Sequence, residues 1–278
     1  MLYTVEYINE RGGSITFSRQ QGLLLTSFPL LSGLPITVST SQSISQIGGT
    51  VDSQLIDPHA STIKGFIRGD GTDGKRKLLS VIRPMEKGTI IVNDQYSIEV
   101  YVTETPTVEL ERQFPRFEFG VIAPFPFWQR TAETAMALAG IEGKFTFPWS
   151  FSSYTFGAAI TSFFTNIYNG GQAPAFFDLQ ISATGAAADP YFMDIGTGDF
   201  LKLNKSLTTG EQINISVKPD SISAISSVSG DIEGLIDIES SLFSLRPGDN
   251  VIKYDAADGR ENLNIYIRFS EKFAGVVV

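Results

Sequence analysis

One short amphipathic helix in a chain otherwise patterned for strands constrains the fold more than any other feature. Leu78, Leu79, Ile82 and Met85 recur at three- and four-residue steps and mark one apolar stripe. Pro84 ends that helix or kinks its last turn. The run Gly69-Asp70-Gly71-Thr72-Asp73-Gly74 reads as the turn before it, with Asp73 as the cap that accepts orphan backbone N–H groups. Strands flank it on both sides. Ile63 to Ile67 forms one before it, Thr89 to Val102 a hairpin after it, and further strands follow near Val108 and Phe117. Tyr96, Ile98, Val100 and Val102 alternate with Ser97, Glu99 and Tyr101, and Asn93-Asp94 suits the hairpin turn. A lone helix framed this way predicts a packed β-domain with one helical plug.

The start of the chain agrees. Tyr3, Val5 and Tyr7 alternate with Thr4, Glu6 and Ile8, and Arg11-Gly12-Gly13-Ser14 turns the chain into a return strand at Ile15. Leu23 to Leu31 is an apolar run ended by Pro29 and Gly33. Residues 37–49, rich in Ser, Thr, Gln and Gly, read as a polar strand pair or a loop.

Beyond Arg130 the texture changes. Thr131 to Gly140 is small and Ala-rich and reads as a boundary. After it, short apolar segments are broken about every ten residues by turn signals such as Asn169-Gly170-Gly171, Gly196-Thr197-Gly198, Lys218-Pro219-Asp220 and Pro247-Gly248-Asp249-Asn250. That rhythm predicts an antiparallel sandwich. Ile213, Ile215 and Val217 form one strand face, and Leu263, Ile265, Ile267 and Phe269 another. The chain is therefore read as mainly β in two domains. Residues 1–130 make a β-sandwich or barrel with one short helix and a β-hairpin, 131–144 a linker, and 145–278 a β-sandwich.

Charge narrows the function classes. The net charge is −9, and the acidity sits in the second half: 12 basic and 13 acidic residues up to Arg130, 9 and 17 after it. That balance argues against a nucleic-acid-binding patch, which needs clustered Lys and Arg for phosphates, and against adhesion to anionic membranes. With no cysteine there is no disulfide, thiolate metal site or thiol nucleophile. The N-terminus lacks the pattern of a signal peptide, and no apolar run is long enough to span a bilayer.

Catalysis finds little support. His59, the single histidine, lies beside Pro58 in an expected loop, and no Gly-x-Ser-x-Gly elbow accompanies it. Asp231, Glu233, Asp237 and Glu239 alternate and read as the solvent face of a strand, with calcium binding or a glycosidase pair as the functional readings. No metal or cofactor is expected. Lys75, Arg76 and Lys77 occupy the first turn of the helix, where the macrodipole disfavours cations. They read as a solvated face, and functionally as a docking patch for an acidic neighbour. The hairpin around Asn93 and Asp94 is the other interface candidate. Trp149, in Phe145-Thr146-Phe147-Pro148-Trp149, reads as part of the second domain's opening strand, with a glycan platform as the alternative.

An ordered series of segments also resembles the distal tail protein family of long-tailed, non-contractile phages and prophages. In the first half these are the strand, the Gly turn and the Lys-rich helix, then Pro84-Met85-Glu86-Lys87-Gly88, Gln95 to Val102, Phe117 to Pro124, and Phe125, Phe127 and Trp128. In the second they are Ile167 to Ala175, Gly198 to Leu203, Leu242 to Asn250 and Asn264 to Phe269. The resemblance implies a galectin-like second domain and a structural protein of the virion tail, assembled in the host cytoplasm. It implies a homohexameric ring made by the first domains, joined to the tail tube protein on one side and to the tail-tip protein on the other. The second domains would project outward to carry receptor-binding proteins or contact the host wall. A carbohydrate-binding β-sandwich module or adhesin is the alternative, and no histidine follows His59 to complete a galectin sugar site.

Overall fold

A computed structural model describes residues 3–110, 113–139, 141–142, 158–159, 164–219 and 221–276. The chain divides into two compact units: residues 1–131 with 272–278, and residues 132–271.

The first unit contains β1 (Val5–Asn9), β2 (Ser14–Phe17), β3 (Leu23–Ser27), β4 (Ile36–Ser41), β5 (Thr50–Ile56), β6 (His59–Ile67), α1 (Gly71–Val81), β7 (Lys87–Val92), β8 (Tyr96–Glu109), β9 (Arg116–Ala123) and β10 (Trp128–Arg130). Its main sheet runs β2-β1-β7-β8-β9-β6-β3, antiparallel at every step. The two ends of that path meet at a bridge between Ser18 and Leu23, so the sheet closes on itself. Strand alternation fills the interior with Val5, Tyr7, Phe17, Ile63, Ile98, Val100, Phe117 and Phe119. Phe17 stacks on Phe117 and Phe119 at 5.8 and 6.0 Å. Leu78 and Ile82 enter the same core, and α1 is the plug that the pattern predicted.

The helix differs from its expected form in two ways. It starts inside the glycine-rich run, and Asp70, not Asp73, caps it by accepting the Thr72 N–H at 2.8 Å. Glycine is a poor helix former, but a Cβ at Gly71 would press on Pro115, and one at Gly74 on Ile67. Close docking of the first turn selects glycine over propensity. The buried stripe is also narrower than expected. Leu79 is exposed, and Met85 lies beyond the helix at φ +61° with its side chain in water.

Strand β8 runs unbroken through Pro106 and absorbs the separate strand expected near Val108. Trp128 is buried, donates from its indole N–H to the Leu30 carbonyl at 2.9 Å, and meets the Phe28 ring edge-on at 6.2 Å. Trp128→Phe should cost about 2 kcal/mol in urea unfolding, because the Leu30 carbonyl stays buried without its donor.

The second unit contains β11 (Thr134–Ala139), β12 (Ile141–Glu142), β13 (Ala158–Ala159), β14 (Phe164–Asn169), β15 (Phe177–Ala183), β16 (Ala187–Asp194), β17 (Phe200–Lys202), β18 (Ser206–Leu207), β19 (Gln212–Val217), β20 (Ile222–Ser226), β21 (Gly230–Asp231), β22 (Gly248–Asp258) and β23 (Leu263–Phe269). One sheet is ordered β11-β23-β15-β19-β20-β21; the other is β14-β22-β16-β17, with β18 beside β16. Their inner faces share one core, including Leu179, Ile181, Ile213, Ile215, Ile265, Ile267, Phe192 and Ile252. This is the antiparallel sandwich that the turn rhythm predicted.

The Ala-rich stretch expected as a linker pairs instead. Residues 134–139 form an edge strand on β23, with Leu138 buried and Met136 packed against the core. Two apolar residues at alternate positions are enough to seat an edge whose other side chains are small. The segment 145–149, expected as the opening strand, lies outside the described residues.

The last strand, β24 (Lys272–Phe273), belongs to the first unit and pairs with β10. Lys272 is buried there, with its ammonium 4.3 Å from the Phe125 ring centroid. Burial pushes its pKa down to about 8 from the ordinary 10.5. The folded state thus disfavours the charged form. Stability should rise as pH goes from about 8 to 10.5, and that contribution is lost as pH falls back through 8. The ring face favours the ammonium, so we expect a gain on the order of 1–2 kcal/mol. Urea midpoints of the first unit at pH 8 and pH 10 check it, and Lys272→Met should flatten the rise.

Candidate functional site

The feature of the first unit that its core does not account for is the β4–β5 hairpin. Both strands are exposed along their whole length and pair only with each other. The register places Ile36 opposite Ile56, Val38 opposite Gln54 and Thr40 opposite Val51, with Asp52 taken up in a bulge. Directly opposed residues share a face. One face of the ribbon therefore carries Ile36, Ile56, Val38 and Val51, and the other Thr37, Ser39, Ser53 and Leu55. An isolated two-stranded ribbon is marginal in water, and both of its edges are free to pair.

The ribbon is nevertheless well organised. At its base, Asp57 N–H donates to the Pro35 carbonyl at 3.0 Å and Thr37 Oγ1 donates to the Asp57 carboxylate at 2.5 Å. Ser41 Oγ donates to Asp52 at 2.9 Å. Gln46 braces the tip: its carbonyl accepts from Gln42, its side-chain oxygen from Ser43 N–H, and its amide donates to Thr50. Ile44 and Ile47 on that tip are fully exposed. Covering aliphatic side chains of this kind is worth roughly 1.5–3 kcal/mol each, and a braced ribbon loses little freedom on docking.

A second surface lies on the outside of the main sheet. Outward residues of β3, β6, β9 and β8 line an open groove of about 1090 Å³. Leu24, Phe66 and Phe114 form its apolar part, and the Phe66 and Phe114 rings meet at 6.0 Å.

The candidates named from sequence fall elsewhere. Arg76 and Lys77 on α1 turn back to Asp73 at 3.5 and 3.0 Å, which leaves Lys75 to Lys77 as a partly neutralised helix face. Asn93 and Asp94 do form the β7–β8 turn, both with positive φ (52° and 56°). That turn is tied down, because Asn93 accepts from Thr4 N–H and the Asp94 carbonyl accepts from Thr131. It does not extend from the sheet; the projecting hairpin is β4–β5. Its signal was present in Ile36, Val38, Val51, Leu55 and Ile56, masked by the polar residues between them. Trp149 lies outside the described residues.

The acidic run does not form one strand face. Asp231 is in β21, Glu233 in a short 3₁₀ turn, and Asp237 in a turn where it accepts from Glu239 N–H and Asn204. Among the described residues no three His, Asp or Glu side chains converge as a metal site would require. His59 opens β6, half-buried, with its pKa lowered by desolvation.

In the second unit two buried asparagines join segments that stand out in the sequence. Asn169 donates to the Ala173 and Leu245 carbonyls and accepts from Gly171 N–H. Asn250 accepts from Arg246 N–H and donates to the Ile167, Arg246 and Gly248 carbonyls. The Asn169-Gly170-Gly171 turn and the Arg246 to Asn250 turn are thereby locked to one another.

Residues 170–273 match the family described as siphovirus-type tail component, C-terminal domain. The crystal structure of phage SPP1 Dit (gp 19.1), described as a paradigm of the hub adsorption apparatus in phages infecting Gram-positive bacteria, is similar over 98% of this chain and 100% of that one, at 15% identity and TM-score 0.69. A chain of the phage P2 baseplate in its activated conformation with Ca is similar over 99% of this chain and 100% of its own, at 11% identity and TM-score 0.54. No curated protein matches. Residues 170–273 are thus similar to the siphovirus-type tail component C-terminal domain, and the chain as a whole has a fold similar to that of SPP1 Dit.

Proposed function

On that footing we propose that the chain is the repeating subunit of a distal tail hub, a structural part of the virion that links the tail tube to the tail-tip apparatus. The match of residues 170–273 to the tail component family carries this reading. The exposed β4–β5 ribbon supports it independently, since a protomer that holds an apolar, braced hairpin in water is built to be covered by another chain. Six copies around an axis is the stoichiometry we propose, with the tail tube protein on one side and the tail-tip protein on the other. The second domain is the part we propose to carry receptor-binding proteins. The role we propose is structural and involves no reaction. It is supported by the match to the tail component family.

Labelling tests the location. Gold-tagged antibody against the second domain should decorate the end of the tail remote from the capsid. Label confined to the capsid or spread along the tube would refute the hub assignment.

A further inference from the structure

We propose that the groove on the outer face of β3, β6, β9 and β8 is the seat for the β4–β5 ribbon of a neighbouring copy. This rests on the self-assembly reading above and adds the acceptor site that it leaves open.

Charge selects the pair. The described lining of the groove includes Arg19, Lys64, Arg68 and Arg116 against Glu109 and Glu118. Lys64 is taken up by Glu118 at 3.0 Å. Among the described residues, no ion pair engages Arg19, Arg68 or Arg116. The ribbon is the complement. Between Arg19 and His59 the only charged residues are Asp52 and Asp57, both acidic and both on the ribbon or its base.

Shape agrees. Two paired strands of six and seven residues make a ribbon about 20 Å long and about 10 Å thick with its side chains. Four adjacent strands offer a floor about 14 Å across. The ribbon's aliphatic face, Ile36, Ile56, Val38 and Val51, would meet Leu24, Phe66 and Phe114.

The contact must be between copies. The ribbon departs from β3 and returns at β6, two walls of its own groove, yet it is exposed over its full length. It therefore does not fill that groove in cis. Donor ribbon and acceptor groove are different surfaces of one protomer, so the contact is heterologous. Repeated, such a contact closes into a ring; a self-complementary one would stop at two copies.

Two variants test it. The groove variant is Arg68→Glu with Arg116→Glu; the ribbon variant replaces residues 37–55 by a short Gly-Ser turn. Circular-dichroism melts establish that each folds. Light scattering is then read at concentrations where the unchanged chain assembles. Each variant alone should stay a single copy, with association weakened tenfold or more. An equimolar mixture should give a two-copy species of about 60 kDa from 30.3 kDa chains and nothing larger, because one supplies the ribbon and the other the groove. Adding Asp52→Lys and Asp57→Lys to the groove variant should restore assembly, which also guards against a folding artefact. A groove variant that assembles as the unchanged chain does would overturn the acceptor site while leaving self-assembly standing. A mixture that stays monomeric would overturn it as well. An unchanged chain that never assembles would overturn the hub reading itself.

Discussion

Gly65→Ala should lower the stability of the first domain by about 3 kcal/mol, a fall of roughly 10 °C in its melting temperature. Gly65 lies in β6 between β3 and β9, opposite Leu25 and Phe117. A Cβ there would overlap the Leu24 carbonyl oxygen and the Phe117 ring. The carbonyl belongs to a paired strand and cannot yield without breaking the ladder. The ring is held by its stack on Phe17. The glycine is needed here for space, not for an unusual backbone angle, since it has no positive φ. Calorimetry of the full chain, with the two transitions separated, checks the size and location of the loss. An unchanged first-domain transition would mean that β3 and β6 pack less closely than described.

Asn250→Ala should cost the second domain about 3–4 kcal/mol. The side chain is fully buried and holds four backbone groups at 2.8–3.3 Å. Alanine leaves the part-buried Arg246 N–H and the buried Ile167 carbonyl without this partner. Asn250→Asp makes a sharper comparison. The carboxylate keeps the bond from Arg246 N–H but turns an acceptor toward three carbonyls, so it should be at least as damaging as alanine. Urea unfolding followed by far-UV circular dichroism checks both. A loss below about 1 kcal/mol for either would show that the two turns do not depend on this residue.

The strand-rich fold was legible because alternation is a direct record of burial. Ile213, Ile215 and Val217, and Leu263, Ile265, Ile267 and Phe269, could be assigned to inner faces from spacing alone, and all seven are buried. Features set by distant contacts were not legible. The helix start lay inside what reads as a glycine turn, because the demand for Gly71 and Gly74 comes from Pro115 and Ile67. The edge strand at 134–139 was hidden by its alanines, whose pairing depends on β23 more than a hundred residues later. At the candidate interface the difficulty was different. Residues 36–56 alternate apolar and polar positions on only one face of a two-stranded ribbon, and a bulge at Asp52 shifts the phase. The serines and threonines between them left a strand pair and a loop both open, and the structure has the strand pair. The buried asparagines show the reverse case: Asn169 and Asn250 were noticed as turn residues, while their role as mutual locks appears only when both turns are seen together.

On the hub reading this chain acts through repeated contact with its own copies. Negative-stain electron microscopy of the purified chain, with light scattering on the same sample, tests it most directly. Ring-shaped particles with six-fold symmetry and a mass of about 180 kDa, six copies of the 30.3 kDa chain, are expected. A single 30.3 kDa species persisting to the highest concentration reached, with no rings in the images, would contradict it.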